Sequence, residues 1–323
     1  MTTVDRIFGC LKGIATGDAI GKQTELLSQE AIRSRYPHGV RGFEGTPGST
    51  IPRYVGNRKR EWRIGETTDD TERTIAVARA IIGDGGAIAH TSVGREMLPC
   101  TKCVHPGVMS LWEFHQAGDP ARVATRHDGC GAAIRVAPVG ILYTSDRLDE
   151  IVNGAREASI PTHGGSIAIA AAAATAAAVS SAIDGAGPRD IIAHAEQAAA
   201  EAERRWPGRA GSGFAAVVRQ VHEDLSSAPP LRAAEVPARY FPNQPLTIVP
   251  LALGLATVLR SAEEAILLAA NIGGDTDSVA SIAGGILGAA YPDTITQAWS
   301  DVVEQVNGHG LEAIAAQLAR LRH

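Results

Sequence analysis

Apolar positions recur at spacings of three and four residues along most of the chain, whereas the strict alternation of a half-buried strand is scarce. This pattern predicts an all-α protein. We expect helices at residues 4–20, 71–82, 148–158, 166–183, 188–205, 211–225, 248–260, 262–270, 278–290, 294–306 and 311–321. No repeat with a period of about 20–50 residues is present, so we expect one compact multi-helix domain spanning residues 1–323.

Three stretches carry no helical pattern. Residues 36–66 and 83–136 are rich in Gly, Pro, His and Arg, and residues 226–245 contain five of the 17 prolines. Long irregular segments are where functional loops usually lie. We therefore expect the segments 42–62 and 87–127 to shape a binding pocket, and 226–245 to be a linking loop within the domain.

Glycines recur every fourth position in the first predicted helix, at Gly9, Gly13, Gly17 and Gly21. This spacing places them on one stripe of the helix. Each glycine costs roughly 0.5–1 kcal/mol of helix stability relative to alanine. The stripe therefore predicts a second helix packed very close, in preference to a phosphate-binding loop, because no strand precedes it.

Composition excludes several classes of protein. Hydrophobic residues make up 45% and charged residues 20% of the 323, which excludes intrinsic disorder. A formal net charge of -5 gives no basic surface for nucleic acid or an anionic membrane, so we expect neither partner. Residues 1–11 lack the pattern of a secretory leader, and the alanine-rich segment 166–183 is too weakly hydrophobic for lipid. We expect a cytoplasmic protein with reduced thiols.

Cys100 and Cys103, with His105 nearby, have the spacing of half a zinc site. A second ligand pair at zinc-finger spacing is absent from the sequence, so two ordinary thiols on a loop are the favoured interpretation.

Two acidic clusters each stand directly before a predicted apolar helix. In the first, Asp69 as N-cap with Glu72 three positions later would form an ordinary capping box. In the second, capping explains less, because one carboxylate suffices for a cap and a Gly-Gly pair precedes the cluster. If the helix starts meet, they form a cage of oxygen donors: Thr68, Asp69, Asp70, Asp275, Asp277 and Ser278.

Four carboxylates so close together would repel one another unless they were protonated or neutralised by a cation. Carboxylate and hydroxyl oxygens are hard ligands that suit Mg²⁺, Mn²⁺ or Ca²⁺. Two ions about 3.5–4 Å apart can orient substrate hydroxyls and activate water. The clusters therefore predict a dinuclear hydrolytic site at helix ends, with two Mg²⁺ ions expected and Mn²⁺ possible.

Five segments in order resemble the ADP-ribosylglycohydrolase family, which includes the hydrolase that removes ADP-ribose from dinitrogenase reductase. The similar segments are Gly17-Asp18-Ala19-Ile20-Gly21 with Thr24-Glu25, Thr68-Asp69-Asp70-Thr71, residues 129–138, Thr162-His163 and residues 273–280. The resemblance implies an all-α fold and metal-dependent hydrolysis of the glycosidic bond of an ADP-ribosyl group, on a protein or a small molecule.

The resemblance also implies roles for individual residues. Catalysis would fall to Glu25, Asp69 and Asp70, with Glu25 either polarising the leaving bond or gating the site. Substrate binding would involve Gly129, Cys130, Gly131, Ala132, His163 and Gly274. Backbone N–H groups of residues 129–133 would bind the diphosphate, and Arg135 is expected to make a structural pairing with an acidic neighbour.

Departures from the family pattern at Glu72, Cys130, Ile134 and Ser278 leave the substrate open. One alternative is an N-glycosidase acting on a nucleoside or nucleotide. Another, of a different class, is a non-catalytic ADP-ribose-binding protein, against which the intact acidic clusters argue.

Overall fold

The helices predicted from periodicity are all present in the computed structural model, which describes residues 1–102, 123–208, 213–227 and 231–323. Cys103 and His105, two of the three residues of the half zinc site, lie outside the described residues, whereas Cys100 is described as a free, partly buried thiol. The helices are α1 Thr3–Gly21, α2 Gln29–Arg35, α3 Asp69–Gly83, α4 His90–Met97, α5 Ala137–Leu142, α6 Leu148–Ser159, α7 Ser166–Ile183, α8 Pro188–Arg205, α9 Phe214–Ser227, α10 Val236–Tyr240, α11 Pro245–Val258, α12 Ala262–Ile272, α13 Thr276–Ala290, α14 Gln297–Asn307 and α15 Leu311–Leu321.

The short helices α2, α4, α5 and α10 were not predicted. With five to eight residues each, they span about two turns or fewer, too few for a 3.6-residue period to stand out. Two of them lie in stretches that were expected to be irregular, so that expectation is wrong for α4 and α10. The all-α class is confirmed for the described residues, where the β pairing consists of one isolated bridge between Thr50 and Arg63.

The glycine stripe of α1 packs directly on α13, as predicted. A Cβ atom on Gly9, Gly13 or Gly17 would lie only 2.0–2.3 Å from a carbonyl oxygen of α13. From the other side, a Cβ on Gly284 or Gly288 would collide with carbonyl oxygens of α1 in the same way. The two helices run antiparallel with their backbones in contact, which brings the end of α1 to the start of α13.

Helix α7 forms the centre of the bundle. It has the length and apolarity of a membrane span, yet 89% of that window is buried inside the protein. Its alanines belong to one large hydrophobic cluster that also takes in side chains of α1, α3, α11 and α13. Small side chains all round this helix let its neighbours approach closely, which explains how a chain with 4% aromatic residues fills its core.

The segment 43–64 builds a small core of its own from Ile51, Trp62 and Ile64, with Phe43 and Tyr54 packed against it. The backbone N–H of Ile51 donates to the carbonyl of Trp62 at 2.7 Å. This segment therefore has a fixed shape although its regular structure is limited to the 3-10 turn Pro52–Tyr54 and the bridge between Thr50 and Arg63. It lies beside the end of α1, where the side chain of Gln23 donates to the carbonyl of Gly42 at 2.8 Å.

We expect Gly13→Ala to lower the free energy of unfolding by about 1–3 kcal/mol, because the added methyl group forces α1 and α13 apart. Gly83→Ala is the matched control, since a Cβ there has no atom within 4 Å. It should leave stability unchanged or raise it by up to about 1 kcal/mol. Urea unfolding of both variants measures the difference, and equal stabilities would contradict the close packing.

Candidate active site

The second acidic cluster lies against the end of α1. A Cβ on Gly21 would fall 2.5 Å from the Cα of Asp277. The hydroxyl of Thr276 donates to the carbonyl of Gly21 at 2.8 Å, and that of Thr24 donates to the carbonyl of Ala270 at 2.7 Å. The start of α13 is thereby fixed to the turn that follows α1.

The first acidic cluster is fastened to α1 by Asp18, which is fully buried. Its carboxylate accepts hydrogen bonds from the backbone N–H of Thr68 at 2.9 Å and of Thr71 at 3.1 Å, and from the Thr71 hydroxyl at 2.6 Å. Burial raises the pKa of Asp18, and the hydrogen bonds from Thr71 and Thr68 act against that shift. Asp18 of α1 thus caps the N-terminus of α3, a helix to which it does not itself belong.

The capping box expected for Asp69 and Glu72 is absent. Thr68 is the N-cap of α3 and accepts from the N–H of Asp70 at 3.3 Å. Glu72 instead accepts from the backbone N–H groups of Thr101 at 3.0 Å and Lys102 at 2.9 Å. With the helix capped by Thr68 and Asp18, the carboxylates of Asp69 and Asp70 are not engaged in capping.

A pocket of about 250 Å³ joins the two clusters to Glu25 and to the glycine-rich turn. Ten of the predicted site residues line it: Glu25, Asp69, Asp70, Gly129, Cys130, Gly131, His163, Asp275, Asp277 and Ser278. Arg73 and His127 also line it, together with Ile134.

Three predicted site residues, Thr68, Ala132 and Gly274, do not line the pocket. Thr68 caps α3, and Ala132 is fully buried within the short 3-10 helix Cys130–Arg135. Gly274 holds the loop after Glu25: its carbonyl accepts from the N–H of Leu26 at 2.6 Å, and its N–H donates to the carbonyl of Leu27 at 2.9 Å.

The electrostatics of the acidic clusters suit a hard divalent cation. Burial, followed by the charges of Asp18, Asp277 and Asp69, raises the pKa of Asp70 well above its ordinary value. One carboxylate oxygen of Asp70, Oδ2, is buried without a hydrogen-bond partner. Burial also raises the pKa values of Asp275 and Asp277. A cation would pair the orphaned oxygen and relieve the mutual repulsion, so the donor set fits Mg²⁺ or Mn²⁺.

In the described part of the chain, no three His, Cys, Asp or Glu side chains already converge at the spacing of a bound ion.

Lys22 brings a positive charge to the same place. Its ammonium group contacts the carboxylate of Glu25 and lies 3.7 Å from Oδ2 of Asp277. Burial alone would lower the pKa of Lys22, but Asp277 and Glu25 raise it above its ordinary value, so the group stays charged. Burial and Asp277 raise the pKa of Glu25, and Lys22 acts against them.

His163 rests on the glycine-rich turn. A Cβ on Gly131 would lie 2.7 Å from Cε1 of the His163 ring, and one on Gly129 would lie 2.9 Å from its Nε2. The other ring nitrogen, Nδ1, is 2.7 Å from the hydroxyl of Thr162. The glycines therefore give the imidazole room to reach the pocket.

Arg135 is fully buried in the core, where it hydrogen-bonds the glycine-rich turn to the residues before His163. Its guanidinium donates to the carbonyls of Gly131 at 2.9 Å and Ala158 at 3.0 Å, and to the Thr162 hydroxyl at 2.9 Å. These hydrogen bonds to carbonyl and hydroxyl oxygens confirm the structural role that was expected for Arg135.

Sequence reasoning did not assign Lys22 or Arg73 to the site. Asp18 was singled out only as part of the first family-like segment, and His127, which lines the pocket, ends the segment 87–127 that was expected to shape it. A signal existed for Arg73, since it follows Asp69 by one helical turn and its guanidinium lies 3.4 Å from that carboxylate. Asp18 directly follows a glycine of the stripe. The position of Lys22 depends on segment 43–64 and has no sequence signal of its own.

Cys130 contacts the carboxylate end of the pocket, where its thiol lies 3.6 Å from Oδ2 of Asp275. Burial, followed by the charges of Asp275 and Asp70, raises the pKa of Cys130 well above its ordinary value. The sulfur is thus held as a neutral thiol donor, not as a nucleophilic thiolate.

Comparisons with known proteins agree on one family. A family model described as ADP-ribosylglycohydrolase matches residues 1–323. A solved structure of an ADP-ribosylglycohydrolase-related protein complex superposes with a TM-score of 0.72 and 25% identity, covering 99% of both chains.

Curated relatives align over nearly their whole length. The Escherichia coli protein YegU, described as uncharacterized, is 26% identical and covers 98% of this chain and 97% of its own. Human ADP-ribosylhydrolase ARH3 is 23% identical, with 94% of this chain and 90% of the relative aligned.

Asp18→Asn should lower the free energy of unfolding by about 2–4 kcal/mol, because an amide removes the charge that accepts these hydrogen bonds and can turn a donor toward backbone N–H groups. Asp84→Asn, at the exposed far end of α3, is the control and should stay within about 0.5 kcal/mol of wild type. Chemical denaturation measures both. A stable Asp18→Asn variant would show that α3 does not need this cap.

Proposed function

Because the chain belongs to the ADP-ribosylglycohydrolase family, whose members hydrolyse glycosidic bonds of ADP-ribosyl groups, we propose that it releases ADP-ribose from a modified protein or a small ADP-ribosyl compound in a divalent-metal-dependent reaction. The observation that carries the proposal is the single pocket that joins both acidic clusters, Glu25 and the glycine-rich turn.

In this proposal the cation ligands are the five acidic-cluster residues that line the pocket, Asp69, Asp70, Asp275, Asp277 and Ser278, with Mg²⁺ as the expected ion and Mn²⁺ as the alternative. Thr68, the sixth ligand expected from the sequence, accepts instead from the N–H of Asp70 as the N-cap of α3. Such an ion, when bound, orients substrate hydroxyls and acts as a Lewis acid. The first of the two clusters has a fixed backbone, because Asp18 accepts from the N–H groups of Thr68 and Thr71, and Arg73 pairs with the side chain of Asp69.

Glu25 is the candidate for the chemical step. Its carboxylate is largely buried, with 22% of the side chain exposed, and it lines the pocket beside Asp277. Cleavage of a ribosyl bond passes through an oxocarbenium-like state that a nearby carboxylate stabilises. A pKa raised by burial also suits Glu25 for holding or moving a proton at its carboxyl group.

The other end of the pocket suits a diphosphate. The first N–H groups of the 3-10 helix Cys130–Arg135 have no partner within the helix. Gly129, Cys130 and Gly131 line the pocket, so their backbone can donate to an anion bound there. Nε2 of His163 lies beside the same glycines and adds one further hydrogen-bonding group.

Incubation with Mg²⁺ and a panel of ADP-ribosylated peptides, nucleosides and nucleotides tests the proposal, with mass spectrometry of the released sugar. We expect free ADP-ribose, no release with a chelator, and a rate at least about 10²-fold lower for Asp70→Ala. The control Asp84→Ala should match wild type. Release of ribose from nucleosides or ribose phosphate from nucleotides would favour the N-glycosidase alternative, and binding without turnover would favour the non-catalytic one.

Glu25→Gln should reduce kcat by roughly 10²–10⁴-fold while ADP-ribose binding stays within about threefold of wild type. Glutamine keeps the size of the side chain but loses the charge and the proton-accepting group. Glu30→Gln, on the exposed face of α2, is the control and should not change either quantity. Steady-state kinetics combined with calorimetry separates the two effects, and normal turnover would remove Glu25 from the chemical step.

A further inference from the structure

Lys22 is the first residue after α1, and its side chain is only 5% exposed. Its ammonium lies between two carboxylates, in contact with Glu25 and 3.7 Å from Oδ2 of Asp277. A buried ammonium is costly unless it is paired, and this one is paired with two groups of the pocket. Lys22 is therefore part of the charge balance of the acidic clusters.

Aromatic rings of segment 43–64 enclose the same ammonium. Nζ lies 4.4 Å from the ring centroid of Trp62 and 6.0 Å from that of Tyr54. Trp62 belongs to the small core of that segment, and the hydroxyl of Tyr54 lies 3.4 Å from Oε2 of Glu25. Cation–π contacts of this kind hold a cation most strongly where water is excluded. The packed side chains of Trp62 and Tyr54 therefore restrict the position of the Lys22 ammonium.

We infer that Lys22 is a protein-supplied cation of the active site, which takes the place of one divalent ion beside Asp277 and Glu25. The inference rests on the metal dependence in the proposed function and changes its expected stoichiometry. An ammonium so close to Asp277 repels a second cation and occupies the carboxylates that would bind it. The protein then binds one divalent ion tightly, near Asp70 with its orphaned Oδ2, in place of the two predicted from the sequence.

In this arrangement Lys22 is a positioning residue for Glu25 as well as a charge. A divalent ion would exchange with solvent, whereas the ammonium is tethered to the end of α1, which itself contacts α13 through Gly21. The position of Glu25 relative to Asp277 would then not depend on how much metal is bound at the second position.

Calorimetric titration of metal-free protein with Mn²⁺ tests the inference, with electron paramagnetic resonance to detect coupled ion pairs. Wild type and Lys22→Arg should bind one ion tightly. Lys22→Met should bind two, with affinity for the second increased roughly 100-fold or more, and show a coupled-pair signal. Lys12→Met is the matched control, because Lys12 is a buried lysine of α1 whose ammonium lies 3.5 Å from the carbonyl of Ile295, away from the acidic clusters. It should bind Mn²⁺ as wild type does.

Two tight ions in wild type, or equal stoichiometry in wild type and folded Lys22→Met, would overturn the inference while leaving the proposed hydrolysis intact. Absence of Mn²⁺ binding in every protein would overturn both the inference and the metal dependence. Circular dichroism checks folding, and Lys22→Gln provides the same comparison if the methionine variant does not fold. Saturating Mn²⁺ should also raise the melting temperature of the neutral variant more than that of wild type.

Discussion

The backbone contact between α1 and α13 is the constraint on which the rest of the structure depends. Side chains larger than hydrogen at Gly13 or Gly17 would separate the two helices. Because the contact is antiparallel, it places the last turn of α1 at the first turn of α13, where Asp277 lies. The same last turn carries Asp18, whose carboxylate holds the start of α3. The two acidic clusters lie about 200 residues apart in the sequence. They share one pocket because both helix starts are attached to the end of α1.

This attachment has an energetic consequence. The pKa values of Asp70 and Asp277 are raised in the folded protein, first of all by burial. The unfolded chain then releases these protons at lower pH than the folded chain, so the carboxylates destabilise the fold as the pH rises above their unfolded values. Nothing in the packing requires four acids at this place. Close packing of α1 on α13 and burial of the alanine-rich α7 offset the destabilisation by these carboxylates. A bound cation would remove much of that destabilisation.

Periodicity predicted the long helices because three or more turns repeat the pattern, and the glycine stripe correctly predicted a close partner helix. The acidic clusters were visible because both stand at helix starts. Long-range contacts were not predictable. Asp18 caps α3 in place of a plausible local capping box. Arg135 donates to the carbonyl of Gly131 and the hydroxyl of Thr162, and no pattern in the sequence marks these oxygens as its partners. Lys22 was missed for the same reason, since its surroundings come from the irregular segment 43–64.

The loop that carries Glu25 is fastened at both ends, which bears on whether this residue gates the pocket or takes part in the chemistry. On one side Leu26 and Leu27 form backbone hydrogen bonds of 2.6 and 2.9 Å with Gly274. A Cβ on Gly274 would lie 2.3 Å from the carbonyl of Pro242, and the residue has φ +75°, so its backbone position is tightly restricted. On the other side Lys22 contacts the Glu25 carboxylate itself. A gate has to break these contacts at every opening, whereas a carboxylate that acts on the reacting bond benefits from being held still. The geometry therefore favours the chemical role for Glu25.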